Sequence, residues 1–238
     1  MTNIVKKPND ENRSEIEKLK SGKQIKLPPI AQRLRDYQKK TVEADLNAST
    51  LSNRIALILD CSGSMSGEPI ELLKKAVEAF AESCNFTNTS VALRPFPQGD
   101  KRPLTALRPL IIASAQMLDA GGGTPMGQAM DDTITNVPIT RAVLVSDGEP
   151  TDDSHWRNVC QKYVDAEIPI DTVHIGESDS GTEVLQEIAH RTGGIFMKFH
   201  DIHSFATSFS YLTPAKRALL KSASADEVKR LTGADDVK

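Results

Sequence analysis

The feature that most constrains this chain is the run Ile55-Ala56-Leu57-Ile58-Leu59, closed by Asp60 and followed at once by Cys61-Ser62-Gly63-Ser64. A short, nearly continuous apolar run reads as a strand buried on both faces, as in parallel sheets. Such a strand needs helices above and below it, and the following residues supply them. Ile70, Leu73, Val77, Phe80 and Cys84 recur at helical spacing behind Pro69, which predicts a helix over about 69–84. Residues 90–96 and about 104–113 read as strands. A helix over 125–136 follows, with Pro in its first turn and Met126 and Met130 as core residues. Residues 141–146 form a second buried run, ending at Asp147-Gly148. Ser154 is expected to cap a helix carrying Val159, Cys160 and Val164, and 170–175 to be a strand. Thr182 is expected to cap a helix that Gly193 stops, and 195–199 to be a strand. Ile202, Phe205, Phe209 and Leu212 make a last amphipathic helix. This alternation predicts an α/β fold with a doubly wound, mostly parallel sheet and helices on both faces.

Charge divides the chain. The net charge is −3, but residues 1–50 carry 11 basic and 7 acidic groups, whereas residues 51–212 carry 12 basic and 21 acidic. Residues 213–238 carry 6 basic and 4 acidic. We therefore expect a basic, partly helical arm over 1–50, an α/β domain over 51–212, and a short helical extension over 213–238. In the arm, Ser14 and Glu17 make a capping box, and Pro28-Pro29 opens a helix carrying Ile30, Leu34, Tyr37 and Val42. In the extension, Thr213-Pro214 opens one helix, and Ser224, Glu227 and Gly233 bound another. An acidic body is a poor partner for phosphate, so no nucleic-acid binding is expected. No apolar run approaches the roughly 18 residues of a membrane helix. No apolar stretch follows the first lysines, so neither a membrane span nor a secretory signal is expected. Cys61, Cys84 and Cys160 form no CxxC pair, and an odd, widely spaced set fits a reducing cytoplasm.

The chemistry concentrates where the first strand ends. In an open α/β sheet, ligands bind at the carboxyl ends of the strands, where the strand order reverses. Asp60, Ser62 and Ser64 alternate along an extended loop, so one carboxylate and two hydroxyls point the same way. Gly63 permits a sharp turn there. Oxygen-only ligands of low charge suit Mg²⁺. Two further oxygens have equivalent placements: Thr124, in the loop Gly121-Gly122-Gly123-Thr124-Pro125, and Asp147, after the strand 141–146.

Asp60-x-Ser62-x-Ser64, then Thr124, then Asp147-Gly148, resembles the full metal-ion-dependent adhesion site of the von Willebrand factor A (VWA) family, over about residues 52–212. The strings from Ser62 to Ile70 and from Asp147 to Asp153 resemble small stand-alone bacterial VWA proteins associated with tellurium resistance and stress operons. The resemblance implies a six-stranded sheet with one antiparallel edge strand. It implies Mg²⁺, with Mn²⁺ or Ca²⁺ as substitutes, held by Ser62 and Ser64 directly and by Asp60 and Asp147 directly or through water. Thr124 would join when a ligand is engaged, and a protein partner's Asp or Glu would fill the open position. The final helix, about 201–212, is the element that the family moves. The implied role is a non-enzymatic, cytoplasmic interaction module, either a scaffold in a stress or defence cluster with kinase or phosphatase partners or an adaptor to an AAA+ ATPase. A metal-dependent hydrolase is the alternative from another class.

The remaining candidates have plainer readings. No GxxxxGK[ST] is present, and Ser21-Gly22-Lys23 is a helix stop. Asp152, Asp153 and Ser154 are expected to cap and charge the next helix. Glu68 and Glu149 would rim the site, and His155 would lie on the surface. His200 and His203 lack a cysteine partner nearby and read as structural or surface residues, as do His174 and His190. Cys61 reads as packing, and Trp156 and Tyr163 as cover for the sheet.

Overall fold

The computed structural model describes residues 47–152, 155–175 and 178–238. The expected helices within residues 1–46, the cap at Ser154 and the side chain of Ile202 lie outside them. The run 55–59 lies in strand β1 (Asn53–Asp60), followed by helix α1 (Glu68–Ser83), β2 (Thr89–Phe96), β3 (Arg102–Thr105) and α2 (Arg108–Gln116). Then come α3 (Met126–Asn136), β4 (Arg141–Ser146), α4 (His155–Asp165), β5 (Ile170–Ile175) and α5 (Asp179–Thr192). The chain continues through β6 (Phe196–Phe199), α6 (Ile202–Ser208), a 3₁₀ turn (Phe209–Leu212), α7 (Pro214–Ser222), α8 (Ala225–Thr232) and β7 (Asp236–Val237).

The seven strands form one sheet in the order β3-β2-β1-β4-β5-β6-β7. The five inner strands are parallel; β3 and β7 run antiparallel at the edges. The period of two sends Leu57, Leu59, Val143 and Val145 to one face, where α1, α2 and α6 to α8 cover them. Ala56, Ile58, Ala142 and Leu144 face α3, α4 and α5. Both faces are dry, which is why β1 and β4 read as unbroken apolar runs rather than alternating ones. The order reverses between β1 and β4, so the crevice beyond their carboxyl ends is the topological switch point. Among the described residues no helix is long and apolar enough to cross a membrane.

Three local expectations are corrected. The strand expected over 104–113 is only β3, and its apolar second half is helix α2. Pro109 sits in the first turn of α2, where a missing N–H costs nothing; Ile111 and Ala115 turn to the core at helical spacing, and Leu118 follows them just past the helix end. Thr182 does not cap α5: the Ser178 hydroxyl accepts from Gly181 N, while Thr182 Oγ1 donates back to Ser178 O at 2.7 Å. Gly193 does end α5, in the left-handed conformation at φ 69°. Finally, the sheet has a seventh strand and therefore two antiparallel edges. Strand β7 comes from residues 213–238, which also place Leu220, Val228, Ala234 and Val237 in the core under α1 and α6. The capping box of that segment forms as expected, with Glu227 N donating to Ser224 Oγ and Gly233 in the left-handed region.

Candidate metal centre

At the carboxyl end of β1 the chain leaves the sheet through Asp60, whose side chain is fully buried. Ser62 is still extended, but Gly63–Met65 close into a 3₁₀ turn rather than the extended loop expected from sequence. The turn brings the Ser62 and Ser64 hydroxyls within 3.0 Å of each other. Ser64 Oγ donates to Asp147 Oδ1 at 2.9 Å. Asp60 Oδ1 accepts from Ser62 N at 2.8 Å, and Oδ2 accepts from Ser146 Oγ at 2.5 Å. Asp60, Ser62, Ser64 and Asp147 thus form one hydrogen-bonded group across the β1–β4 crevice.

Thr124 makes no hydrogen bond to this group among the described residues; the loop that carries it is tied to the loop after β1. Gly63 N donates to Gly122 O at 2.9 Å and Gly121 N to Cys61 O at 2.8 Å, which stitches the two loops together. Gly122 is needed there: its φ is +83°, and a Cβ would lie 2.9 Å from Pro97 Cγ. Thr124 in turn is held against the loop after β4. Its N–H donates to Thr151 Oγ1 at 3.1 Å, and its carbonyl accepts from Thr151 N at 2.9 Å.

The electrostatics are one-sided. Among the described residues, no lysine, arginine or histidine lies within ion-pair distance of Asp60 or Asp147. Burial therefore pushes the Asp60 carboxyl up to about 6, against the hydrogen bonds from Ser146 and Ser62. Burial also raises Asp147, against the bond from Ser64. One buried and one half-buried carboxylate without counter-charge among the described residues, beside hydroxyl oxygens, make a donor set that suits a hard divalent cation and repels an anion.

The plainer readings have structural outcomes too. Cys61 is buried on the opposite face of the sheet, and Met126, Met130, Trp156 and Tyr163 lie in the core. All three thiols are free, and burial raises each to about 12. Glu68 and Glu149 are exposed. Asp152 is a correction: its carboxylate accepts from Gln128 N at 2.8 Å and so caps α3, not the helix that follows it. That is possible because the loop after β4 folds back over the start of α3. His200 and His203 are half-exposed or more, beside Asp235 and Glu68 respectively. His174 is fully buried, and burial, aided by Lys198, lowers it to about 4. Two contributors escaped the sequence reading. Ser146 bonds the Asp60 carboxylate from the end of β4, and Thr151 holds the backbone of Thr124; neither carries a local sequence signal, because strand order and loop folding bring their partners.

The family model for the von Willebrand factor type A domain matches residues 53–197, from the first residue of β1 into β6. The chain belongs to the VWA domain family. VWA domains are typically non-enzymatic modules that mediate metal-dependent protein–protein interaction. Solved structures share the fold. BatB from Bacteroides thetaiotaomicron is 16% identical with a TM-score of 0.56, over 72% of this chain and 100% of that one. The vWF domain of the type V pili tip protein Mfa5 from Porphyromonas gingivalis is 9% identical with a TM-score of 0.58, over 73% and 97%. Proximal thread matrix protein 1 from the mussel byssus, with a zinc-occupied MIDAS motif, is 18% identical with a TM-score of 0.57, over 68% and 47%. At these identities the likeness is one of fold. A comparison with curated proteins finds no match.

Proposed function

We propose that this VWA domain binds a protein partner through one divalent cation, with Asp60, Ser62, Ser64, Thr124 and Asp147 as the metal-holding residues. The observation that carries this reading is the Asp60 carboxylate: fully buried, oriented by two hydrogen bonds, and without a basic partner among the described residues. A carboxylate left in that state costs stability unless a cation arrives. The residues fit a hard ion: two acidic side chains offset its charge, and three hydroxyls add oxygen donors without charge. Mg²⁺ is our assignment, with Mn²⁺ or Ca²⁺ able to replace it. Bound there, the ion supplies an electrophile for an incoming carboxylate, so the partner contributes an Asp or Glu.

We assign this role to residues 51–212, with residues 1–50 as a basic arm and residues 213–238 as an extension that completes the sheet through β7. The strings around Ser62 and Asp147 support the finer reading of a scaffold in a bacterial stress or defence system. The three buried free thiols support a cytoplasmic setting.

Calorimetry on the full chain with MgCl₂ tests the metal. The parent should bind one ion, and Asp60→Ala and Asp147→Ala should each lose it while remaining folded. Pull-down from the native host with and without EDTA tests the partner. Capture that is indifferent to EDTA and to both substitutions defeats the binding mechanism. Turnover of phosphate or ester substrates that requires Mg²⁺ and Asp60 defeats the non-enzymatic reading.

A further inference from the structure

Ser146 is the last residue of β4 and is fully buried. The β1–β4 register ends at Leu59 and Val145, so Asp60 and Ser146 are the next cross-strand pair and face the same side. The Ser146 hydroxyl has one proton. Its 2.5 Å contact with Asp60 Oδ2 is the shortest it makes, and a carboxylate is its strongest available acceptor. With the proton committed there, an Oγ lone pair accepts from Gly148 N at 3.3 Å. One oxygen thus joins the Asp60 carboxylate to the turn that carries Asp147.

The other ties within the group are different in kind. Ser62 N holds Asp60 Oδ1 from within its own loop, and Ser64 Oγ holds Asp147 Oδ1 from an exposed position. Ser62 is buried as well, but among these donors Ser146 alone belongs to the neighbouring strand and joins Asp60 to the turn after it. It does not need to touch a cation to influence one, because it fixes the direction in which Asp60 presents its remaining lone pairs.

We propose that Ser146 is a positioning residue that sets both the affinity of the centre for a divalent cation and its preference for Mg²⁺ over Ca²⁺. This rests on the metal reading above. Mg²⁺ demands near-ideal octahedral geometry at about 2.0–2.1 Å, whereas Ca²⁺ accepts a looser shell. A carboxylate freed from its second hydrogen bond penalises the stricter ion more. Outer hydrogen-bonding partners of metal ligands typically contribute about 10–100-fold in affinity.

The test is calorimetric titration of the full chain with MgCl₂ and separately with CaCl₂, for the parent, Ser146→Ala, Ser146→Cys, Ser146→Thr and Asp60→Asn. Cation-free melting is measured on each. Ser146→Ala should weaken Mg²⁺ by about 10–100-fold and Ca²⁺ by clearly less. Ser146→Thr, which keeps the hydroxyl, should stay near the parent. Ser146→Cys keeps the volume with a weak donor, should move in the same direction as Ala, and carries the test if the Ala variant does not fold. Parent-like Mg²⁺ binding in the Ala and Cys variants, with binding lost in Asp60→Asn, overturns the role of Ser146 and leaves the metal reading standing. An equal loss of both cations together with a lowered melting temperature reduces Ser146 to a structural residue and also overturns it. A parent that binds neither ion overturns the metal reading and this inference with it.

Discussion

Asp60 and Asp171 are both fully buried in the same sheet, and their surroundings are opposite. Asp60 sits at the carboxyl end of β1 among hydroxyls. Asp171 sits near the amino end of β5, on the other face, where Arg141 Nη1 meets Oδ2 at 2.5 Å. Arg217 grips both of its oxygens, at 2.5 and 2.6 Å, and Ile195 N adds a bond at 2.9 Å. Burial pushes both carboxyls up. For Asp171 the guanidiniums of Arg217 and Arg141 outweigh it and hold the group below the usual value, whereas Asp60 rises to about 6. One carboxylate therefore has its counter-charge built into the chain, and the other has none among the described residues. The first kind of site closes a fold: Asp171 ties β5 to β4, to the start of β6 and to α7. The second kind costs stability, which on the function proposed above a bound cation would offset.

The comparison breaks most visibly at Asp171. Asp171→Asn leaves two nearly buried guanidiniums facing a neutral group, and breaking a buried ion pair from one side costs about 3–5 kcal/mol. For a chain of this size that is on the order of 10 °C in melting temperature. The loss should be the same with and without Mg²⁺. Because its folded value is lowered, Asp171 contributes stability that is present above the unfolded value of 3.8. That contribution fades as pH falls through the lower folded value, so the parent should weaken steeply below about pH 4 and the variant much less. A melting temperature unmoved by Asp171→Asn would mean that the cluster is not what closes this end of the sheet.

Asp60 should behave with the reverse sign. Its folded value of about 6 lies above 3.8, so in the cation-free chain its contribution is complete below 3.8 and is lost as pH rises through about 6. The difference amounts to about 3 kcal/mol at neutral pH. His174 titrates over the same window with the opposite effect, since its folded value near 4 favours the fold above pH 6.5. The clean quantity is therefore the difference between parent and Asp60→Asn at each pH, measured by denaturant midpoint in EDTA. Asp60→Asn should be the more stable protein at pH 7.5, and the two should converge toward pH 4. Saturating Mg²⁺ should reverse the order at pH 7.5, because ligation adds stability only to the chain that binds. If Asp60→Asn is instead destabilised in EDTA at pH 7.5, Asp60 is a structural group like Asp171.

The two carboxylates were not equally legible in the sequence. Asp60 stood out because the run 55–59 reads as a buried strand and ends in a carboxylate followed by Cys-Ser-Gly-Ser. Asp147, which follows a strand of recognisable pattern, does join Asp60's hydrogen-bonded group through Ser64, Ser62 and Ser146, whereas Thr124 is bonded to Thr151 instead. Asp171 was silent: its partners lie 30 and 46 residues further off in the chain, and nothing local marks the pairing. Ser146 was silent too, because its importance lies in a neighbour brought by strand order. Helix α2 was misread because Leu110-Ile111-Ile112 is as apolar as a strand, and only tertiary packing decides such a run. Strand β7 has two residues, too few for any period to show. What is local was readable; what depends on which strands become neighbours was not.

Glu187 gives the smallest effect and the sharpest control. Like Asp171, it is one carboxylate held by two guanidiniums: Arg157 Nη2 at 3.0 Å and Arg191 Nη2 at 2.6 Å. Unlike Asp171, it lies on the surface, with the three side chains 31%, 48% and 44% exposed. Solvent screens its attraction, and long side chains lose freedom in forming it, so exposed pairs contribute about 0–1 kcal/mol. Glu187→Gln should therefore cost less than about 1 kcal/mol, and 1 M NaCl, with a Debye length of about 3 Å, should erase the difference. The cost of Asp171→Asn should persist in the same salt. If the two substitutions cost alike, guanidinium pairing alone accounts for Asp171 and burial adds nothing. The contrast with Asp60, which depends on burial making an unpaired carboxylate expensive, would then lose its physical basis.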